Sequence, residues 1–209
     1  GEIDLDWMEQ FTAALAADQA CFGLSLLGGD TVRTPGPLCL SLTALGSAPA
    51  GRELMRDGAK PGDLIVVSGT VGDGALGLAL HQGALGALDE HHATHLRERF
   101  RRPEPRLGLG IALRGLAHAA IDVSDGLIAD LGHITEASGV GARIEAAEVP
   151  LSDAARAVLA IQPARLNDCL SGGDDYELLF TLAPAEQATL DRLATELGLS
   201  LAVIGRVEA

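Results

Sequence analysis

The sequence predicts an α/β (α+β) fold in which a mixed sheet is covered by helices. Three observations lead there. Short apolar runs alternate with amphipathic stretches, the pattern of layered strands and helices. The chain has 209 residues, 47% of them hydrophobic, which is enough to bury a real core. Several apolar runs also end in glycine-rich, acidic turns rather than in long loops. Aromatic residues make up only 3% of the chain, so the core must be built from Leu, Ala, Ile and Val.

Along the chain, Leu5 to Ala20 reads as a helix with Met8, Phe11 and Leu15 on one side. Phe22 to Leu27 reads as a short strand that runs into Gly28-Gly29-Asp30-Thr31. After the loop Pro35-Gly36-Pro37, Leu38, Leu40 and Leu42 alternate with Cys39, Ser41 and Thr43, as in a strand with one buried face. Ser47 to Gly51 is a plausible linker, and the expected domains are 1–51 and 52–209. Asp63 to Ser68 reads as a strand around the fully apolar run Leu64-Ile65-Val66-Val67, and Val71-Gly72-Asp73-Gly74 turns into a helix over Ala75–His81. Helices through His91–Arg101 and Arg106–Leu116 lead to a strand ending at Asp122, and a helix covers Gly126–Ser138. The remainder reads as a strand (Ala142–Glu145), a helix (Ser152–Leu159), a run from Leu166 to Leu170 into a second Gly-Gly-Asp turn, a strand (Glu177–Leu182), a helix (Pro184–Leu197) and a closing strand (Leu201–Val207).

The chemistry concentrates at three turns. Ile121-Asp122-Val-Ser124-Asp125-Gly126-Leu127 reads as a strand running straight into a helix whose apolar face carries Leu127, Ile128, Leu131 and Ile134. Side chains alternate along a strand, so Asp122 and Ser124 point the same way while Asp125 sits where the helix begins. Carboxylate and hydroxyl oxygens are what Mg²⁺ takes as ligands, usually together with substrate phosphates. The same residues would also serve as a helix cap and a strand-end solvator. Gly28-Gly29-Asp30 and Gly172-Gly173-Asp174 would let backbone approach a ligand closely, and a tight turn explains either one about as well. Three such acidic turns at strand ends, the one after Leu166–Leu170 included, favour the metal and phosphate reading.

A formal net charge of −14 argues against nonspecific binding of nucleic acid or anionic membranes. An acidic cleft can hold an anionic phosphate only if cations sit between them, so a phosphate enzyme built this way should depend on metal. Cys21, Cys39 and Cys169 show no Cys-x-x-Cys pairing and are expected to be small buried residues of a reduced, cytoplasmic protein. The N-terminal residues do not resemble a signal peptide, and no apolar run reaches the roughly 20 residues of a membrane helix. His91 and His95 lie one helical turn apart, a zinc-compatible spacing, but no third ligand is evident. The run Arg97, Arg99, Arg101, Arg102, Arg106 could grip phosphate; the reading preferred here is a solvated helix end favoured by the helix dipole.

Gly28-Gly29-Asp30-Thr31, Arg56-Asp-Gly-Ala-Lys-Pro-Gly62-Asp63, Asp122-Val-Ser124-Asp125-Gly126-Leu and Ser171-Gly172-Gly173-Asp174-Asp175-Tyr176-Glu177-Leu occur in this order. Together they resemble the thiamine-monophosphate kinase family, within the superfamily that includes aminoimidazole ribonucleotide synthetase and selenophosphate synthetase. The resemblance implies a two-domain synthetase-like architecture with the N-terminal domain only partly present, and a segment missing at each end. It implies Asp30, Asp122 and Asp125 as Mg²⁺ ligands, and Gly29, Asp30, Arg56 and Ser124 at the ATP site. Asp174 would contact thiamine monophosphate, at a position where the family often carries Glu. The implied reaction is direct in-line transfer of a phosphoryl group from ATP to thiamine monophosphate, assisted by several Mg²⁺ ions, in a cytoplasmic homodimer. No general base is needed, because the acceptor phosphate is already ionised near neutral pH. The 209-residue chain by itself is expected to show little or no activity, since part of the metal cage is absent. The alternatives are another ATP-using synthetase of the superfamily, and a noncatalytic nucleotide-binding module.

Overall fold

The computed structural model describes residues 4–209. The chain divides into two compact units, residues 1–47 and 48–209.

The first unit carries one helix, Leu5–Phe22 (α1). Asp4 starts it by accepting the Trp7 amide at 2.6 Å, and Gly23 ends it in the left-handed conformation. Trp7 and Phe11, four residues apart, stack with ring centroids 5.2 Å apart. None of the α1 residues is buried. The strands expected over Phe22–Leu27 and Leu38–Thr43 do not form among the described residues: Phe22 completes α1, and residues 24–47 run without helix or strand. An alternating apolar pattern makes a strand only where a neighbour satisfies its backbone groups. Here Leu24, Leu26, Leu38, Leu40 and Leu42 are all exposed. Cys21 and Cys39 are exposed as well, contrary to expectation, whereas Cys169 is buried.

The second unit is built on a five-stranded sheet of β1 (Leu64–Ser68), β2 (Ala119–Asp122), β3 (Gly141–Ile144), β4 (Leu178–Leu182) and β5 (Leu201–Glu208), in the order β2-β4-β1-β5-β3. The α+β expectation holds, but every ladder is antiparallel rather than mixed. No two strands consecutive in the chain are neighbours in the sheet, so no parallel crossover unit arises. β1 is central, and all five of its residues are buried. Its continuous apolar run is required because both faces of the sheet are covered. Ile65 and Val67 join Ile121, Leu179 and Ile204 on one face, beneath Leu127, Leu131 and Ile134 of the helix Leu127–Ser138 (α5). Leu64 and Val66 join Phe180 and Leu182 on the other, beneath the helices Leu107–Ala112 (α4) and Gln187–Leu197 (α8). Ile128, expected on the apolar face of α5, is exposed.

A third core lies among helices Asp73–His81 (α2), Glu90–Arg101 (α3), Asp153–Ile161 (α6) and Leu166–Ser171 (α7), around Leu76, Leu96, Ala155, Val158 and Cys169. The approach to the second Gly-Gly-Asp turn is thus a helix, not a strand. α4 is shorter than expected, ending at Ala112 in a stretch weakened by Gly108 and Gly110.

Candidate functional site

β2 ends at Asp122, and α5 begins five residues later. Gly126 occupies the cap position of α5 with φ 116° and ψ 147°, a conformation open essentially to glycine alone. It has no side chain with which to cap the helix. The capping acceptor is instead Asp130, 1% exposed, whose Oδ2 accepts the amides of Ser124, Asp125 and Gly126 at 3.0, 3.1 and 3.1 Å. Burial raises the Asp130 pKa and the three amides lower it. The helix-cap reading of Asp125 is therefore wrong. Asp130 does that work, which leaves the Asp125 carboxylate exposed at the surface beside the exposed Asp122.

The turn 172–177 lies directly against this segment. The Asp174 amide donates to the Ser124 carbonyl at 3.0 Å, the Tyr176 amide to the Val123 carbonyl at 2.8 Å, and the Val123 amide to the Glu177 carbonyl at 2.8 Å. The approach is so close that a Cβ on Gly173 would run into the Ser124 carbonyl oxygen. Burial alternates along the turn: Asp175 and Glu177 point into the protein, while Asp174 and Tyr176 are presented outward with φ of 67° and 53°. The Tyr176 hydroxyl donates to Asp174 Oδ1 at 3.3 Å. Its pKa is raised by partial burial and by the negative charge of Asp174, Asp122 and Asp125. Asp174 thus bonds the phenol while Asp122 and Asp125 act on it through their charge, and none of the three is in an ion pair among the described residues.

Two open hollows border the turn. One, of about 400 Å³, is lined by Ala75, Leu78, Arg165, Ser171, Gly172 and Asp174 among others. The other, of about 530 Å³ and more apolar, includes Leu107, Ile111, Asp122, Tyr176 and Leu178. A tighter grouping of potential ligand atoms, all within 4.8 Å of one another, comprises Asp125, Asp130 and His133. It includes Asp125 but not Asp122.

Of the site residues expected from the sequence, Asp122, Ser124, Asp125 and Asp174 are brought together. Arg56 is exposed in the turn leading to β1, and its carbonyl accepts the Ser138 hydroxyl at 3.1 Å. Gly29 and Asp30 belong to the other unit, where Asp30 is exposed and its Oδ1 accepts the Thr31 amide at 2.8 Å. Tyr176, Asp130 and His133 were not anticipated. For Asp130 a signal existed: a helix that starts at glycine with Asp in its first turn needs that Asp as its cap. The arginine run is the expected solvated helix end only in part: Arg101 and Arg102 are exposed, but Arg99 and Arg106 are not. Arg99 and Arg106 have side chains 14% and 13% exposed, and both bond Glu177.

The family described as "AIR synthase related protein, C-terminal domain" matches residues 60–209. The chain belongs to this family. AIR synthase related relatives include the thiamine-monophosphate kinases of Salmonella typhimurium, 47% identical over 208 residues, and of Caulobacter vibrioides, 46% identical over 205. These alignments take in 100% and 97% of this chain and 63% and 57% of the relatives, so the chain spans roughly six tenths of their length. Among solved structures, the thiamine-monophosphate kinase of Stenotrophomonas maltophilia K279a superposes with a TM-score of 0.91 at 47% identity, covering 99% of this chain and 66% of that one. AaThiL, complexed with AMPPCP and TMP, gives 0.79 at 26%, covering 100% and 64%. No helix among the described residues is long and apolar enough to cross a membrane.

Proposed function

We propose that the protein carrying this chain is an ATP-dependent thiamine-monophosphate kinase that forms thiamine diphosphate by direct in-line phosphoryl transfer. The observation that carries the reading is that the 122–126 and 172–177 segments are hydrogen-bonded together, which brings Asp122, Asp125 and Asp174 to one junction where none of the three carboxylates is in an ion pair among the described residues. This donor set fits Mg²⁺, a hard cation that takes carboxylate oxygen and arrives with phosphates. Asp30, Asp122 and Asp125 would hold it, and when bound it would supply charge neutralisation between two anionic reactants. Gly29, Asp30, Arg56 and Ser124 would contact the nucleotide, and Asp174 the thiamine phosphate. Residues 1–51 are read as the remaining part of the N-terminal ATP and Mg²⁺ domain, with 52–209 as the C-terminal domain. The assembly is read as a cytoplasmic homodimer.

The likeness to thiamine-monophosphate kinases at 46–47% identity supports the substrate, as does AaThiL, complexed with AMPPCP and TMP. In this reading the chain's own residues orient rather than transfer protons. Asp130 and the 172–177 turn fix the backbone from which Asp122, Ser124, Asp125 and Asp174 project. The test is turnover of ATP and thiamine monophosphate by the full-length polypeptide, with and without EDTA. ADP release that EDTA abolishes is expected. Turnover insensitive to EDTA, or release of ADP only with a different acceptor, would overturn the reading.

A further inference from the structure

The Glu177 carboxylate lies in a pocket of donors. Its residue is 0% exposed. Oε2 accepts the Ser68 hydroxyl at 2.6 Å and Arg106 Nε at 2.7 Å, while Oε1 accepts Arg106 Nη2 at 2.6 Å and Arg99 Nη2 at 3.0 Å. The Arg106 pair is bidentate, the geometry that fixes orientation as well as charge. Gly69 leaves the space this requires, since a Cβ there would collide with the carboxylate. Arg99 Nη2 also donates to the Asp175 carbonyl at 3.2 Å, and the Asp175 carboxylate accepts the amides of Gly72 and Gly74 at 2.6 and 2.9 Å. The two inward acids of the turn are therefore each locked to a different part of the fold. Between and beside them stand Asp174 and Tyr176 in the left-handed region, a backbone state that non-glycine residues keep only where their surroundings enforce it.

We infer that Arg106 and Arg99, acting through Glu177, are positioning residues that hold Asp174 and Tyr176 in place against the Asp122–Asp125 segment for acceptor binding. The inference rests on the kinase reading for the identity of the acceptor, but not for the clamp itself. Neither arginine touches the Asp122, Asp125 or Asp174 carboxylates by hydrogen bond or ion pair; Arg106 borders the hollow that holds Asp122 and Tyr176, and both arginines reach the turn through the shared glutamate. Glu104 lies on the outer side of Arg106 at 2.9 Å, with its own side chain 70% exposed, so Glu177 is the anchoring partner.

The test uses Arg106→Lys, which keeps the charge and removes the fork, with Arg106→Met as the severe variant. In the full-length enzyme, kcat/KM for thiamine monophosphate is expected to fall by about tenfold or more, the range seen for groups that orient ligand-bearing residues, while KM for ATP stays within about twofold. Arg106→Lys is expected to retain more of kcat/KM than Arg106→Met. A second readout needs no substrate: the 209-residue chain has one tyrosine, so ¹³C-labelled tyrosine reports Tyr176 alone. Its resonance is expected to move toward the unstructured value in Arg106→Lys while amide signals of β1 and β5 stay in place. A fall in melting temperature with unchanged kcat/KM and an unchanged tyrosine resonance would overturn the inference. Should the wild-type enzyme fail to phosphorylate thiamine monophosphate, the kinase reading falls and the tyrosine resonance alone decides the clamp.

Discussion

Asp175 is 1% exposed, and its pKa is pushed up to about 7 by burial, against the opposing pull of the Gly72 and Gly74 amides. A carboxyl that holds its proton more tightly in the folded state favours folding when protonated. Its contribution is complete below the unfolded value of 3.8 and is lost as pH rises through about 7. Between pH 5 and 8, the stability of wild type is expected to fall more steeply than that of Asp175→Asn, whatever the absolute stability of the variant. Thermal unfolding across that range checks it, and parallel profiles would refute it. Asp130 shows what a linear reading misses at this level. The sequence displays Asp125 next to a helix start and invites a cap, yet the cap comes from the residue five positions later, because Gly126 holds the cap position in a conformation no other residue readily adopts. The metal and phosphate candidates Asp122, Ser124, Asp125 and Asp174 were legible because acidic residues beside glycines at element ends are chemically distinctive. Tyr176 and Glu177 were not, since nothing local tells an outward tyrosine or a buried glutamate from its opposite.

The contact between residues 122–126 and 172–177 depends on backbone approaching backbone. Gly173→Ala would force a methyl group into the Ser124 carbonyl, so a loss of about 2 kcal/mol or more is expected, in the range of overpacked sites. Urea unfolding checks it, and an unchanged midpoint would mean that the turn yields more easily than its hydrogen bonds imply. The helices and strands of the second unit were mostly legible. Leu64–Val67 is an unbroken apolar run because both faces of β1 are covered, and α6 starts where Ser152 accepts the Ala155 amide at 2.9 Å. The misreadings share one cause. Leu38, Leu40 and Leu42 alternate like a strand, and 166–170 is apolar enough for one, but pairing is a tertiary fact that periodicity does not contain. The same limit hid the antiparallel sheet, whose order joins β2 to β4 and β3 to β5 across long stretches of chain.

Among the described residues, all buried hydrophobic side chains fall between Ala59 and Val207, and none lies in the first unit. Stability of the 209-residue chain therefore resides in residues 48–209. Amide exchange is expected to be slow in β1, β4 and β5 and fast throughout residues 4–47, including α1, whose hydrogen bonds have no packed face behind them. Protection of α1 equal to that of β1 would contradict this. The charge of the whole chain is −14, and where the local surface is acidic too, as at the Asp122–Asp125 segment, an anionic phosphate can be held only with cations between. The central claim is that the Asp122, Asp125 and Asp174 carboxylates stand ready for Mg²⁺ and phosphate, and the Mg²⁺ dependence of turnover in the full-length protein tests it most directly. Asp125→Asn is expected to lower kcat by about 100-fold or more, equivalent to roughly 3 kcal/mol, with the melting temperature essentially unchanged. Wild-type kcat and an unaltered Mg²⁺ requirement in that variant would contradict it.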